Sequence, residues 1–278
     1  MRRIRPLVAT TVAAIALTSL SACSAAQKAA QGAAAPMVSV ADAMSMTTKA
    51  TQKYTSASTK MSEQVTAKGQ AVDMTGSGHI SWSPLAMDMT VTSPQLASKL
   101  AGDSSLRMMM SGTTMYMGFT GNAPAAFKGK HWLKMDLSKN AAAAESLNKT
   151  SGTDPATQVK LFISSGDIKR VGTQTVDGVS TTRYSGAVDL AKLAAKQEDS
   201  QLKSLIQQDS KQGITNMNVD LWVNDQNLPV RVQEATAPSS SMQLKVTIDY
   251  SDFSTTPVTI TPPAASDTMD LPSQLPSS

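Results

Sequence analysis

The chain has 278 residues with a formal net charge of +4, 4% aromatic residues, 17 methionines and one cysteine. That length allows one large domain or two small ones. A single cysteine excludes a disulfide framework and a cysteine-built metal centre. Arg2, Arg3 and Arg5 supply three of the positive charges, so without the first 22 residues the formal charge falls from +4 to +1. No basic block with interleaved aromatics remains, and nucleic-acid binding is not expected.

The basic start is followed by a short apolar run, Leu7 to Leu17, with the proportions of a secretory signal rather than a membrane span. Small residues then lead to Leu20-Ser21-Ala22-Cys23. This tetrapeptide resembles the bacterial lipobox, in which the cysteine sulfur accepts a diacylglycerol and the residue becomes the new amino terminus. Residues 1–22 read as a lipoprotein signal peptide, with Cys23 as the lipid attachment point. The expected location is the extracytoplasmic face of the cell membrane. Residues 23–37, rich in Ala, Gln and Gly with Pro36, form a tether without apolar period.

Ser39 has the character of an N-cap, and Val40, Ala43, Met44 and Thr47 share a helical face, so a helix is predicted over about 39–55. From Thr59 the period becomes two. Met87, Met89 and Val91 alternate with polar residues, as do Leu106, Met108 and Met110, then Met115, Met117 and Phe119, then Leu133, Met135 and Leu137. Such runs are strands of an antiparallel meander with one apolar face. Asp154-Pro155 starts a helix carrying Val159, Phe162 and Ile163, which Gly166 ends. Strands are predicted over Ile168–Val176 and Val179–Val188 around an Asp177-Gly178 turn. Asp189 then caps a helix with Leu190, Leu193, Ala194, Leu202, Leu205 and Ile206. Three more strands carry Val219, Leu221 and Val223, then Leu228, Val230 and Val232, then Leu244, Val246, Ile248 and Tyr250. Residues 262–278, rich in Pro and Ser, read as a disordered tail. The expectation is an α+β domain over residues 38–261: a curved antiparallel sheet of about 10–11 strands whose apolar concave face is covered by helices or by a ligand.

Three segments carry a family resemblance. Val176-Asp177-Gly178 through Tyr184 to Asp189-Leu190 resembles the hairpin-into-helix segment of the LppX/LprAFG lipoproteins. Val219-Asp220-Leu221-Trp222-Val223-Asn224 with Leu228-Pro229-Val230-Arg231 resembles their next hairpin. Val246 to Phe253 with Pro257-Val258-Thr259-Ile260 resembles the closing strands. The Met-rich first half shares only the pattern. The resemblance implies a LolA-like half-barrel enclosing an apolar cavity, and a role in carrying acylated lipids or glycolipids in the cell envelope. The family's cavity residues form no sequence motif, so the candidate lining comes from alternation: Met89, Met108, Met110, Met115, Met117, Val219, Leu221, Val223, Val246 and Ile248.

Catalytic chemistry has little footing. His79 and His131 are the only histidines, and no nucleophile elbow, zincin motif or phosphate-binding loop is present. A triad built from distant segments stays open. No cofactor and no metal site is expected, although thioethers in Met-x-Met pairs suit Cu(I) as well as a core or cavity wall. The readings carried forward are a non-enzymatic lipid carrier or chaperone and, as the alternative, an envelope sensor or interaction module binding a partner protein.

Overall fold

The computed structural model describes residues 38–271 apart from 68, 98–104, 120–126, 140–153, 166, 197–202, 204, 205, 208, 209, 211–213, 239 and 241. Cys23 and the signal and tether segments lie outside the described residues, as do Leu202, Leu205 and Gly166.

The first described element is helix α1, Val40–Thr51. Ser39 caps it, its hydroxyl accepting from the Asp42 amide at 3.1 Å and donating to the Asp42 carboxylate at 2.7 Å. Ala43, Met44, Thr47 and Thr51 form its buried face. The two buried threonines bond back to the carbonyls of Ala43 and Thr47, which lets a polar residue sit in the core. Twelve strands follow: β1 (Ser56–Ala67), β2 (Gln70–Trp82), β3 (Leu85–Thr92), β4 (Ser105–Ser111), β5 (Thr114–Phe119), β6 (Trp132–Asp136), β7 (Ile168–Val176), β8 (Val179–Asp189), β9 (Asn216–Asn224), β10 (Pro229–Thr236), β11 (Met242–Ser254) and β12 (Thr268–Asp270). The described helices besides α1 are α2 (Pro94–Ala97), α3 (Pro155–Ser165) and α4 (Leu190–Lys196).

All twelve strands belong to one curved, unclosed sheet in the order β12-β6-β5-β4-β3-β2-β1-β11-β10-β9-β8-β7. Every pairing is antiparallel except β12 on β6. The α+β reading therefore stands, with one strand more than the upper expectation. The chain runs as two meanders, β1–β6 and β7–β11, joined side by side where β11 pairs with β1. The boundary between the N-terminal unit and the sheet unit falls between Val38 and Ser39.

Helices α1 and α3 pack on one face of the β8–β11 half. Their Ala43, Met44, Val159 and Phe162 join Tyr184, Leu221, Val223, Val232, Tyr250 and Ala57 in the main core. Gly186 makes that approach possible, since a Cβ there would stand 2.9 Å from the Phe162 ring and 2.8 Å from the Asp167 carbonyl. Asp154 caps α3 by accepting from the Ala156 amide at 2.9 Å, with Pro155 leading the first turn. Asp189 likewise accepts from the Lys192 amide at 3.0 Å at the start of α4. There Leu190, Leu193, Val188, Ile206 and Ile214 build a second cluster.

The expected disordered tail is corrected for residues 262–271. After β11 the chain crosses back over the sheet. The Ser56 hydroxyl donates to the Thr256 carbonyl at 2.7 Å, and the Val258 amide donates to the Ser81 hydroxyl. At the far side, Thr268–Asp270 pairs in parallel with Trp132, Leu133 and Lys134. The Lys130 ammonium donates to the Ser266 carbonyl, and His131 meets the Asp267 carboxylate through its amide at 3.0 Å and its Nδ1 at 2.9 Å. Proline removes ladder donors and so breaks a regular strand, but an extended strap needs no ladder along most of its length.

Candidate functional site

In a sheet, directly paired residues project from the same face, so the registers define rows across strands. One row runs Tyr184, Leu221, Val232, Ile248, Met61, Gly76, Val91, Leu106, Phe119 across nine strands. It lies on the helix-covered face, here the inner face. All ten candidate lining residues from the sequence fall on that face.

The inner face has two chemically different halves. On β8–β11, Leu221 and Val223 are 2% and 6% exposed within the core beneath α1 and α3, and Val219 and Ile248 pack against them. These positions are filled by protein. Val246 lies between Glu234 and Glu63 in one row, so two carboxylates interrupt the apolar surface there. Alternation missed both glutamates, although Glu63 is in phase with Met61 and Val65.

On β3–β6 the wall is methionine. Met87, Met110, Met115 and Met135 are paired directly across four strands. The adjacent row is Met89, Met108, Met117 and Leu133, continued by Met269 of β12. Seven of these eight positions on β3–β6 are methionine. Met110 and Met89 are buried, whereas Met87, Met108, Met115, Met117 and Met135 are partly exposed. Gly76 extends the wall: the side-chain methyls of Met89 and Met61 would lie 3.1 and 3.6 Å from a Cβ at this position. The missing side chain is replaced by two thioether ends.

The opposite face is clamped by ion pairs beside a small buried cluster of Val176, Trp222 and Val230. Arg107 is bidentate to Asp88 at 2.9 and 2.7 Å, Arg183 to Asp220 at 3.2 and 3.0 Å, and Arg231 pairs with Asp249. The Arg107 guanidinium holds the Asp88 carboxyl below the usual carboxylate range. A groove of about 470 Å³ opens on this face, lined in part by Ser58, Ser77, His79, Asp177 and Asp249. Ser58 and His79 meet there at 3.2 Å, and Asp88 stands opposite His79 on β3. Both Asp88 oxygens are taken by Arg107, so the carboxylate is occupied as an ion-pair partner rather than as the orienting group of a triad. Among the described residues no cluster of three or more His, Cys, Asp or Glu is placed to hold a metal, and no helix is long and apolar enough to cross a membrane.

An open twelve-stranded sheet with helices against one face is a half-barrel, the architecture that the sequence resemblance implies. The chain belongs to the same family as an uncharacterised 31.2 kDa protein of Streptomyces griseus encoded in the rplA–rplJ intergenic region. The two are 33% identical over 238 residues, 81% of this chain and 77% of that one. A Streptomyces coelicolor protein named as a lipoprotein is 28% identical over 247 residues, 83% of this chain and 74% of that one. Among solved structures, the chain is similar to the lipoprotein LppX of Mycobacterium tuberculosis, with a TM-score of 0.47, 14% identity, and coverage of 80% of this chain and 100% of that one. No protein-family model matches the chain.

Proposed function

We propose that this protein is a membrane-anchored, non-enzymatic lipoprotein that holds an acyl chain against the methionine half of its inner sheet face and carries or shields it in the cell envelope. The observation that supports this reading is the contrast between the two halves. Leu221 and Val223 are packed under helices, while five of the seven block methionines keep partial exposure on an apolar wall. Four strands at about 4.8 Å spacing make the wall about 14 Å wide, room for much of one acyl chain laid along a row. Each methylene leaving water contributes about 0.8 kcal/mol. Unbranched thioether side chains adjust to irregular chains at low cost.

The ligand contacts in this reading are Met108, Met115 and Met117, with Met89 beneath them and Val246 at the margin. Met110, Leu221 and Val223 support from behind. A paired substitution tests it. Met117→Trp should weaken binding of a fluorescent fatty acid with little change in the denaturant midpoint. Met110→Trp should overpack a filled site and cost about 1–3 kcal/mol. Equal stability losses without any change in fatty-acid affinity would reject the cavity.

A further inference from the structure

The seven-methionine block is more sulfur than an apolar wall requires. Val, Ile and Phe are equally apolar and favour strands more strongly, so burial and β-propensity together do not select methionine at seven of eight positions on four strands. Beyond the flexibility that suits an adjustable wall, methionine adds among these side chains a soft thioether donor. We propose that the row Met87–Met110–Met115 is a binding site for a soft monovalent metal ion, Cu(I), with Ag(I) as its analogue, held by three thioethers.

The geometry is local and complete in sulfur. Met110 on β4 is paired directly with Met87 on β3 and with Met115 on β5. It is therefore the central member of three adjacent side chains on one face. Met110 is 1% exposed and packs in one cluster with the partly buried Met87, Met115, Met135 and Leu85 and the buried Leu137, so the central thioether is shielded from water. Strands about 4.8 Å apart bring the three stems close, and three rotatable bonds in each methionine allow the sulfurs to converge. His79 projects to the other face beside Ser58, and His131 is engaged with Asp267. A donor set of neutral thioethers selects Cu(I) and Ag(I) over Zn(II), Cu(II) or Ca(II), which prefer imidazole, thiolate or oxygen. Binding involves no electron transfer, because the ion enters and stays in the +1 state. A metal centred on Met110 leaves Met108 and Met117 of the adjacent row free to meet a chain, and Met115 is the residue common to both readings.

The test uses the protein under anaerobic, reducing conditions. Cu(I) is supplied from a chromophoric bicinchoninate complex, and Ag(I) binding is followed by native mass spectrometry. The unaltered protein should withdraw Cu(I) from the chelator and carry a bound Ag(I). Met87→Leu/Met110→Leu/Met115→Leu should lose both signals while keeping the fold, because leucine conserves volume and polarity. Met61→Leu/Met74→Leu, on the same face, should keep both. If the triple variant does not fold, Met87→Leu/Met115→Leu, which leaves the buried Met110 in place, should show the same loss. Failure of the unaltered protein to compete for Cu(I), or metal binding retained without these sulfurs, overturns the site without touching the lipid reading.

Discussion

At the scale of single residues, the inner face is held by a few polar groups placed where alternation alone expects hydrocarbon. Tyr250 is 5% exposed, and its hydroxyl donates to Gln158 Oε1 of α3 at 3.2 Å. Burial, reinforced by the negative charges of Glu234 and Asp154, pushes its pKa far above the ordinary tyrosine value. Unfolded tyrosine ionises near pH 10, whereas the folded group stays neutral. A raised folded pKa therefore contributes stability that is complete below pH about 10 and lost as pH rises above it. Tyr250→Phe should cost about 1 kcal/mol at neutral pH through the lost hydrogen bond. It should also flatten the alkaline fall in the denaturant midpoint, leaving a smaller slope from Tyr184, which burial also pushes up. An unchanged alkaline slope in the variant would show that Tyr250 is not the group that resists ionisation.

At the scale of elements, the strap from Thr256 to Asp270 is pinned to both sides of the first meander, at Ser56 and Ser81 and again at Lys130, His131 and β6. Met109 and Tyr116 project from that face and are only 3% and 8% exposed, which an uncovered sheet surface does not allow. The strap's anchors at Ser81 on β2 and Trp132 on β6 stand on either side of β3–β5, which carry these two residues. Deleting residues 262–278 should therefore destabilise the domain by about 2 kcal/mol, the order of two net hydrogen bonds, and expose Tyr116 to solvent. Asp267, whose pKa is lowered by its hydrogen bonds to His131, adds to the clasp above the ordinary carboxylate pKa, and its contribution disappears as pH falls through the lowered value. Equal thermal midpoints for residues 38–261 and 38–278 would show that the strap does not hold the sheet.

The same elements show what the sequence made legible. Ile168–Val176 coincides with β7, and Val179–Val188 falls one residue short of β8, because both alternate cleanly around Asp177-Gly178. The caps Ser39, Asp154 and Asp189 were readable because capping is local chemistry. The four strands of the methionine meander were readable from period two, and so was the shared face of all ten candidate residues. The individual bounds of β1 and β2 were not, since Glu63, Thr59, Gly76 and Gly78 occupy inward positions among exposed polar neighbours. β12 is three residues long and parallel, a pairing fixed by a docking partner 136 residues away rather than by any period of its own. The division of the inner face into a filled half and a methionine half was equally invisible, because it depends on where α1 and α3 lie.

At the scale of the whole molecule, function depends on whether the sheet unit is held at a membrane. A carrier of acyl chains gains from an anchor, because transfer between a bilayer and an apolar wall is favoured when the two stay close. One acyl chain gives only marginal membrane binding, whereas two or more anchor stably. The diacylglycerol implied by the lipobox resemblance at Cys23 meets that condition. Cys23→Ala removes the only sulfur nucleophile in the chain. The variant should incorporate no alkyne-labelled fatty acid and should be found as unprocessed precursor or in the released fraction. Its sheet unit should keep the unaltered melting temperature and fatty-acid affinity, since the substitution lies outside residues 39–271. Label retained by Cys23→Ala would reject the anchor, and loss of fatty-acid binding by a folded, released variant would mean that what had been measured was the anchor's own bilayer rather than the sheet.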